Sequence, residues 1–170
     1  MLRRGYTPFG QLDIKNTILK ILDGTGTPNT VTVKIGEGNV TWTEKKPRQY
    51  TKNRGRLDGV RNGDEEPVEL KIDCRWDFYK SDGSEDVTPV EAIKQQGAAS
   101  SWTTTGSDDC EPYAVDIHIE YNISCGATAD ELYVFPEFRY EQIEFDLRAG
   151  TFSVSGMCNV TEPTVTRTTL

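Results

Sequence analysis

The stretch Tyr113-Ala114-Val115-Asp116-Ile117-His118-Ile119-Glu120-Tyr121-Asn122-Ile123 carries a large apolar side chain at every second position. Unbroken period-two alternation predicts a strand with one face buried and one face wet. At about 3.3 Å per residue the stretch spans roughly 36 Å, well beyond an ordinary strand. A second stretch repeats the pattern: Val68, Leu70, Ile72, Cys74, Trp76 and Phe78 alternate with Glu69, Lys71, Asp73, Arg75 and Asp77. Two long strands with acidic wet faces predict a mainly β chain, and they suit a wall or a surface better than a compact catalytic core.

Shorter strands surround these two. Asn16 to Asp23 is apolar, Gly24-Thr25-Gly26-Thr27-Pro28-Asn29 supplies turn residues, and Val31, Val33 and Ile35 resume the alternation, which predicts a β-hairpin. Gly36 to Asn39 forms the next turn, and Val40 and Trp42 open a third strand. Toward the C-terminus, Phe138 and Tyr140 hold one phase while Ile143, Phe145 and Leu147 hold the other. That slip at Glu141–Gln142 turns the apolar face outward unless a β-bulge absorbs one residue. After a turn at Ala149-Gly150, Phe152, Val154 and Gly156 mark a last strand. Thr88-Pro89-Val90-Glu91 is a capping box with proline at the first helical position, predicting a short helix that runs to about Gln96 and ends at Gly97. Ser100 to Pro112 is small and polar, hence loop.

Between Glu44 and Asp64 the alternation stops. Lys45, Lys46, Arg48, Lys52, Arg54, Arg56 and Arg61 are scattered among Pro47, Gly55, Gly59 and Gly63, so residues 44–64 are expected to be a long basic loop. Loops of this length inside a compact domain are usually functional or disordered. Three readings are open: a nucleic-acid contact, for which Tyr50 alone is thin aromatic support; a solvated flexible loop; and a segment that docks by opposite charge on another copy of the chain.

With 170 residues the chain fits one domain, residues 1–170, flanked by an N-terminal arm (1–13) and a C-terminal arm (161–170) that is either frayed or docked on a neighbour. There are 27 acidic and 19 basic side chains, a formal charge of −8, so the surface as a whole does not grip nucleic acid. No segment approaches eighteen apolar residues, so no membrane span is expected. Leu2, Arg3, Arg4 and Gly5 are not followed by an apolar run; no secretory signal is expected, and the protein is expected in the cytosol when made.

Motifs of chemistry are scarce. Cys74, Cys110, Cys125 and Cys158 lack zinc spacing, and Cys74 sits on the apolar phase of its strand; free or buried thiols are expected. His118, the one histidine, stands between Asp116 and Glu120 on a wet phase, but no nucleophile motif supports catalysis. Asp82-Gly83-Ser84-Glu85-Asp86 lacks the ligand order of a calcium loop. Gly24-x-Gly26 and Gly36-x-Gly38 are turn glycines rather than a phosphate loop. The glycosylation triplets at Asn39, Asn122 and Asn159 are read as chance. No catalytic residue, metal or cofactor is expected.

The wet faces say more. Glu69, Asp73, Asp77, Asp116, Glu120, Glu144 and Asp146 stand against Lys71, Arg75 and Arg148. Such faces are either an ordinary solubilising surface or the lining of a passage through which a negatively charged polymer slides without sticking, the inverse of a binding groove.

The early hairpin, the long Arg/Gly loop, one short helix and an extended C-terminal arm together resemble the tail tube proteins of long-tailed bacteriophages, which are related to the tubes of contractile secretion systems. The resemblance spans roughly Ile14 to Pro163 and is carried above all by Gly55 to Glu69 with the strand that follows, and by Gly150 to Val160. It implies a β-sandwich or barrel-like tail tube fold. It further implies a non-enzymatic major tail tube subunit that self-assembles into stacked hexameric rings, contacts other tail proteins and forms the conduit for phage DNA ejection. Val68–Phe78, Tyr113–Ile123 and Glu137–Leu147 would supply the sheets, and the seven wet-face acids would line the lumen. Double-stranded DNA would pass them without specific binding. Lys45, Lys46, Arg48, Lys52, Arg54, Arg56 and Arg61 would make the inter-ring contact. If each of six subunits gives about four strands, some 24 strands at about 4.8 Å spacing close with a backbone diameter of roughly 37 Å before tilt. The expected place is the virion tail, with assembly in the host cytoplasm. The alternatives are another virion β-sandwich component, such as a tail terminator or decoration protein, and a carbohydrate-binding β-sandwich using Trp102 and Tyr113.

Overall fold

Thr17–Leu22 (β1) and Thr30–Val33 (β2) form the first hairpin, closed around Asp23 rather than around its glycines. The Asp23 carboxylate accepts hydrogen bonds from the Thr25 and Asn29 backbone N–H groups, the Thr25 hydroxyl, the Asn29 amide and the Thr103 N–H. The computed structural model describes residues 17–33, 35, 38–76, 79–80, 86–122 and 131–167. Expectations for the 1–13 arm, Asp77, Phe78, residues 82–85, Ile123, Cys125 and the last three residues lie outside these.

The remaining strands are Val40–Thr43 (β3), Arg48–Asn53 (β4), Arg56–Asn62 (β5), Val68–Arg75 (β6), the short pair Tyr79–Lys80 (β7) and Asp86–Val87 (β8), then Val115–Tyr121 (β9), Glu131–Asp146 (β10), Thr151–Cys158 (β11) and Thr164–Arg167 (β12). The main sheet runs β2-β1-β9-β10-β11-β6-β3, antiparallel throughout, with β12 also on β10.

β10 is the corner. Its first half pairs with β9 and β12, and its second half pairs with β11. Between them the register with β9 shifts at Phe135/Phe138, and Glu137 takes a left-handed φ of 52°. A non-glycine residue in that region is strained unless its surroundings hold it. Here Asp116 accepts the Glu137 N–H at 3.0 Å, and the Glu137 carboxylate receives the Asn159 amide at 3.0 Å. Phe135 and Phe138 flank the bend with almost no exposed surface.

The bend folds the sheet over itself as a sandwich. Leu19, Ile21 and Val33 on one side line the same interior gap as Ile72, Cys74, Phe152 and Val154 on the other, with Pro89 and Ile93 of the helix. Trp42 of β3 crosses to pack on Tyr133 and Phe135, ring centroids 5.6 and 5.3 Å apart. The mainly β, sandwich-like architecture with one short α-helix among the described residues is therefore as the sequence predicts.

Strand limits differ in detail. The alternation at 113–123 yields β9 over Val115–Tyr121 with every odd residue buried; the one at 68–78 yields β6, buried at Val68, Leu70, Ile72 and Cys74, and Trp76 lies beyond its end. The slip at Glu141 is a bulge, placed between Tyr140 and Gln142 in the pairing with β11. Gly156 serves it: a Cβ there would meet the Arg139 carbonyl oxygen at 2.1 Å. The helix, Pro89–Lys94 (α1), has the full capping box, with the Glu91 N–H donating to the Thr88 hydroxyl at 3.2 Å and the Thr88 N–H to the Glu91 carboxylate at 3.1 Å. It stops earlier than the sequence suggests, at a left-handed Gln95, and Gly97–Ala99 continues as a 3-10 turn.

Two expectations need correction. Residues 44–64 are not an irregular loop: β4 and β5 form an antiparallel hairpin. Part of the C-terminal arm is neither frayed nor on a neighbour, because β12 pairs with Glu131–Val134 of its own chain.

Candidate assembly surfaces

The hairpin β4–β5 turns at Arg54-Gly55, both with positive φ (50° and 80°), the geometry of a two-residue turn matched to strand twist. Every residue of both strands is exposed. Cross-strand pairing sets Tyr50 opposite Val60 and Lys52 opposite Leu57, and the extra residue, Asp58, is absorbed as a bulge facing Thr51 and Lys52. One face of the hairpin therefore carries Tyr50, Leu57 and Val60, which are 63, 72 and 59% exposed. A two-stranded hairpin with nothing packed on it is marginal in water.

Of the seven basic residues here, three are engaged at the base. Lys45 pairs with Glu66 at 3.5 Å, Lys46 with Glu162 at 2.5 Å, and Arg48 donates to the Asn62 side chain. Among the described residues no ion pair engages Lys52, Arg54, Arg56 or Arg61. Lys52, Arg54 and Arg56 cluster near the tip and Arg61 lies toward the base, so the hairpin is a cationic, partly apolar tongue on a chain of charge −8.

The seven acids of the predicted lumen do not share one face. Cross-strand register gathers four of them: Glu144, Ser153 and Asp73 form one row, Asp146, Thr151 and Arg75 the next, and Arg139, Met157 and Glu69 a third. With Gln142, Ser155, Lys71 and Thr41 between, these rows make a four-stranded polar face over the second half of β10, β11, β6 and β3. Asp146 also receives the Arg148 and Ala149 N–H groups, shaping the turn to β11, and Glu144 accepts the Gln142 amide at 2.7 Å. An open groove of about 640 Å³ at the end of this face takes in Asp73, Arg75, Glu144 and Asp146.

Asp116 and Glu120 lie on β9, on the opposite side of the sandwich. Glu120 pairs with Lys20 at 2.9 Å, and His118 stands across from Lys20 and Val134. Burial pushes the His118 pKa below its ordinary value, Asp116 and Glu120 oppose that, and Lys20 reinforces it. This second face mixes charge with half-buried Ile18, Leu22, Leu132 and Val134. Asp77 lies outside the described residues.

Cys74 and Cys158 are buried free thiols whose pKa burial raises to about 12, with the nearby charge of Asp73 and Asp116 respectively adding to the rise. Such thiols are inert side chains of the core. Among the described residues no group of three or more His, Cys, Asp or Glu is arranged to hold a metal ion, and no helix is long and apolar enough to cross a membrane.

The sequence reading missed three features: the apolar face of the hairpin, the first half of β10, and the half-open aromatics Trp42, Tyr140 and Phe145 at two strand edges. The Asn53-Arg54-Gly55-Arg56 turn was the available signal for the hairpin, hidden by the charges around it.

No protein-family model matches the chain, and no curated protein matches it. Solved structures do. The sheath/tube terminator of the extracellular contractile injection system PVC in its extended state is similar with a TM-score of 0.53 at 9% identity, over 92% of this chain and 97% of that one. The tube-terminating cap of the anti-feeding prophage AFP gives 0.52 at 9% identity, over 94% and 93%. A chain of the PVC sheath–tube complex in its extended state gives 0.54 at 8% identity, over 93% of each. At such identities the likeness is one of fold, along nearly the whole of both chains.

Proposed function

We propose that this chain is a structural subunit of a tail-like tube, a ring-forming protein whose rings stack around a central bore. The single observation that carries the reading is the β4–β5 hairpin. Arg48 to Asn62 stand exposed throughout, with an uncovered apolar face and, among the described residues, four cations outside any ion pair, Lys52, Arg54 and Arg56 near the tip and Arg61 toward the base. A fold of this kind is completed only by another protein, and the acidic remainder of the same chain is a fitting receiver. The fold shared with chains of tube-containing particles supports the same conclusion.

Within that reading the four-stranded face is the side turned to the bore. Glu69, Asp73, Glu144 and Asp146 outnumber Lys71, Arg75 and Arg139, the last already paired with Glu111 and Glu137; the intervening residues are serine, threonine and glutamine, and Met157 is the one apolar side chain. A phosphate polymer meets net like charge there and slides. Asp116 and Glu120, set among half-buried aliphatics, suit a surface that other protein covers. Hexameric rings and passage of a phage genome belong to this proposal, with the major tube subunit as its first form. A tube-ending ring is the second form, favoured by the terminator and cap among the similar structures.

The test is negative-stain microscopy of the purified chain at high concentration, beside the triple variant Arg54→Glu, Arg56→Glu and Arg61→Glu. Stacked rings from the wild type and isolated rings or folded monomers from the variant are expected. Rings that never stack identify the tube-ending form. A wild type that stays monomeric overturns the proposal.

A further inference from the structure

We propose that Asn62 is a self-modification site: the backbone nitrogen of Gly63 attacks the Asn62 side-chain amide, ammonia leaves, and aspartate or isoaspartate remains at the root of the β4–β5 hairpin. This chemistry lies beyond the ring-forming reading and holds whether or not rings form.

Sequence and fold set the two reacting groups side by side. Asn62 is the one asparagine of the chain followed by glycine. Gly63 has no Cβ to hold its nitrogen away from the preceding side chain, which gives the backbone the freedom that ring closure needs. Asn62 is exposed, and an open cleft of about 310 Å³ at the hairpin root is lined by Asn62, Gly63, Lys46 and Arg48 among others. Solvent therefore reaches the amide.

The fold also supplies an activating group. Arg48 and Asn62 are the last pair of the hairpin, and the Arg48 guanidinium donates to Asn62 Oδ1. A cation on that oxygen draws electrons from Cγ and stabilises the negative charge the oxygen gains when a nucleophile adds. The nucleophile is restrained, because the Gly63 N–H donates to the Pro47 carbonyl at 2.8 Å. Attack waits until that bond opens and Asn62 leaves its extended strand conformation. A two-stranded hairpin with nothing packed on it opens at small cost in free energy.

The steps balance without oxidant or reductant. The bond from Gly63 N to Asn62 Cγ forms, the bond from Cγ to Nδ2 breaks, and Nδ2 departs as ammonia with the proton that Gly63 N gives up. Water then opens the five-membered imide at one of its two carbonyls and returns a proton to the nitrogen. Opening at Cγ leaves aspartate at position 62, a carboxylate facing the Arg48 guanidinium in a stronger, charge-assisted bond. Opening at the main-chain carbonyl leaves isoaspartate, whose backbone is longer by one carbon. That displaces the Gly63 N–H from Pro47 and unfastens the root.

The experiment holds the full chain in mildly alkaline buffer for days and follows its peptides by mass spectrometry, with isoaspartyl methyltransferase labelling to count the branched product. Asn62 is expected to gain the mass of an amide-to-acid exchange well ahead of the exposed Asn53 and Asn159. Arg48→Met is expected to slow the conversion severalfold, and Arg48→Lys to restore part of the rate. Conversion at Asn62 no faster than at Asn53 overturns the site. Conversion as fast in Arg48→Met as in the wild type, or faster, overturns the activation by Arg48.

Discussion

β9 and the β4–β5 hairpin are both antiparallel strand structures, and they are stabilised from opposite directions. Each odd residue of β9 is buried in the chain's own core, and its neighbours β1 and β10 saturate its backbone on both sides. Among the described residues the hairpin's two strands bury nothing and pair only with each other. Strand structure in this molecule is therefore of two kinds, one that builds the core and one left exposed, where the proposed contact with a second copy would form. Substitutions should separate the two: core changes move folding stability, and hairpin changes move assembly.

The largest effect on the monomer is expected from Phe135→Ala. The ring is fully buried at the bend of β10 and packs against Trp42, and loss of such a side chain costs about 3–5 kcal/mol. Urea denaturation measures it; a loss under about 1 kcal/mol would mean that the corner is not the centre of the core.

Asp23 comes next. Burial alone raises its pKa, but hydrogen bonds from Asn29, Thr25 and Thr103 outweigh this and hold the carboxyl below the ordinary 3.8. A depressed folded-state value stabilises the fold above the ordinary pKa and loses that contribution as the pH falls through the lower folded value. The Asp23→Ala variant is therefore expected to lose about 1.5–3 kcal/mol at neutral pH. The gap between wild type and variant should close as the pH is lowered below about 4 in chemical denaturation series. A gap independent of pH would show that the loop is held by something other than the charge. His118 acts in the same direction at higher pH: its lowered pKa favours the neutral ring, so its share of stability is present above the ordinary 6.5 and declines as the solution is acidified.

The smallest effect on the monomer is predicted where the assembly effect is greatest. Tyr50→Ser with Val60→Ser changes two exposed side chains, so folding stability should stay within about 0.5 kcal/mol. Sedimentation velocity should nonetheless show assembly lost. A destabilised monomer with normal assembly would erase the distinction between the two kinds of strand.

How much of this was legible beforehand depends on whether the signal is local. The alternations at 68–78 and 113–123 could be read because a wet face and a dry face impose period two on one strand, whatever pairs with it. The capping box at Thr88 and the bulge near Glu141 were equally local. The hairpin escaped because it has no buried face to impose a period: Tyr50, Leu57 and Val60 are diluted by arginines, and the bulge beside Thr51 breaks their spacing. β12 escaped because a four-residue strand with every residue exposed carries no pattern, and its place is set by β10.

The amino-acid order by itself determined that this is a β protein with an acidic exterior, one capped helical turn and a cationic insertion, since those properties follow from spacing and charge alone. Only the tertiary structure decided which acids stand together. Glu69, Asp73, Glu144 and Asp146 share one face while Asp116 and Glu120 occupy the other, because the sheet doubles back at Pro136-Glu137, and strands that read alike in sequence are carried to opposite sides of one core.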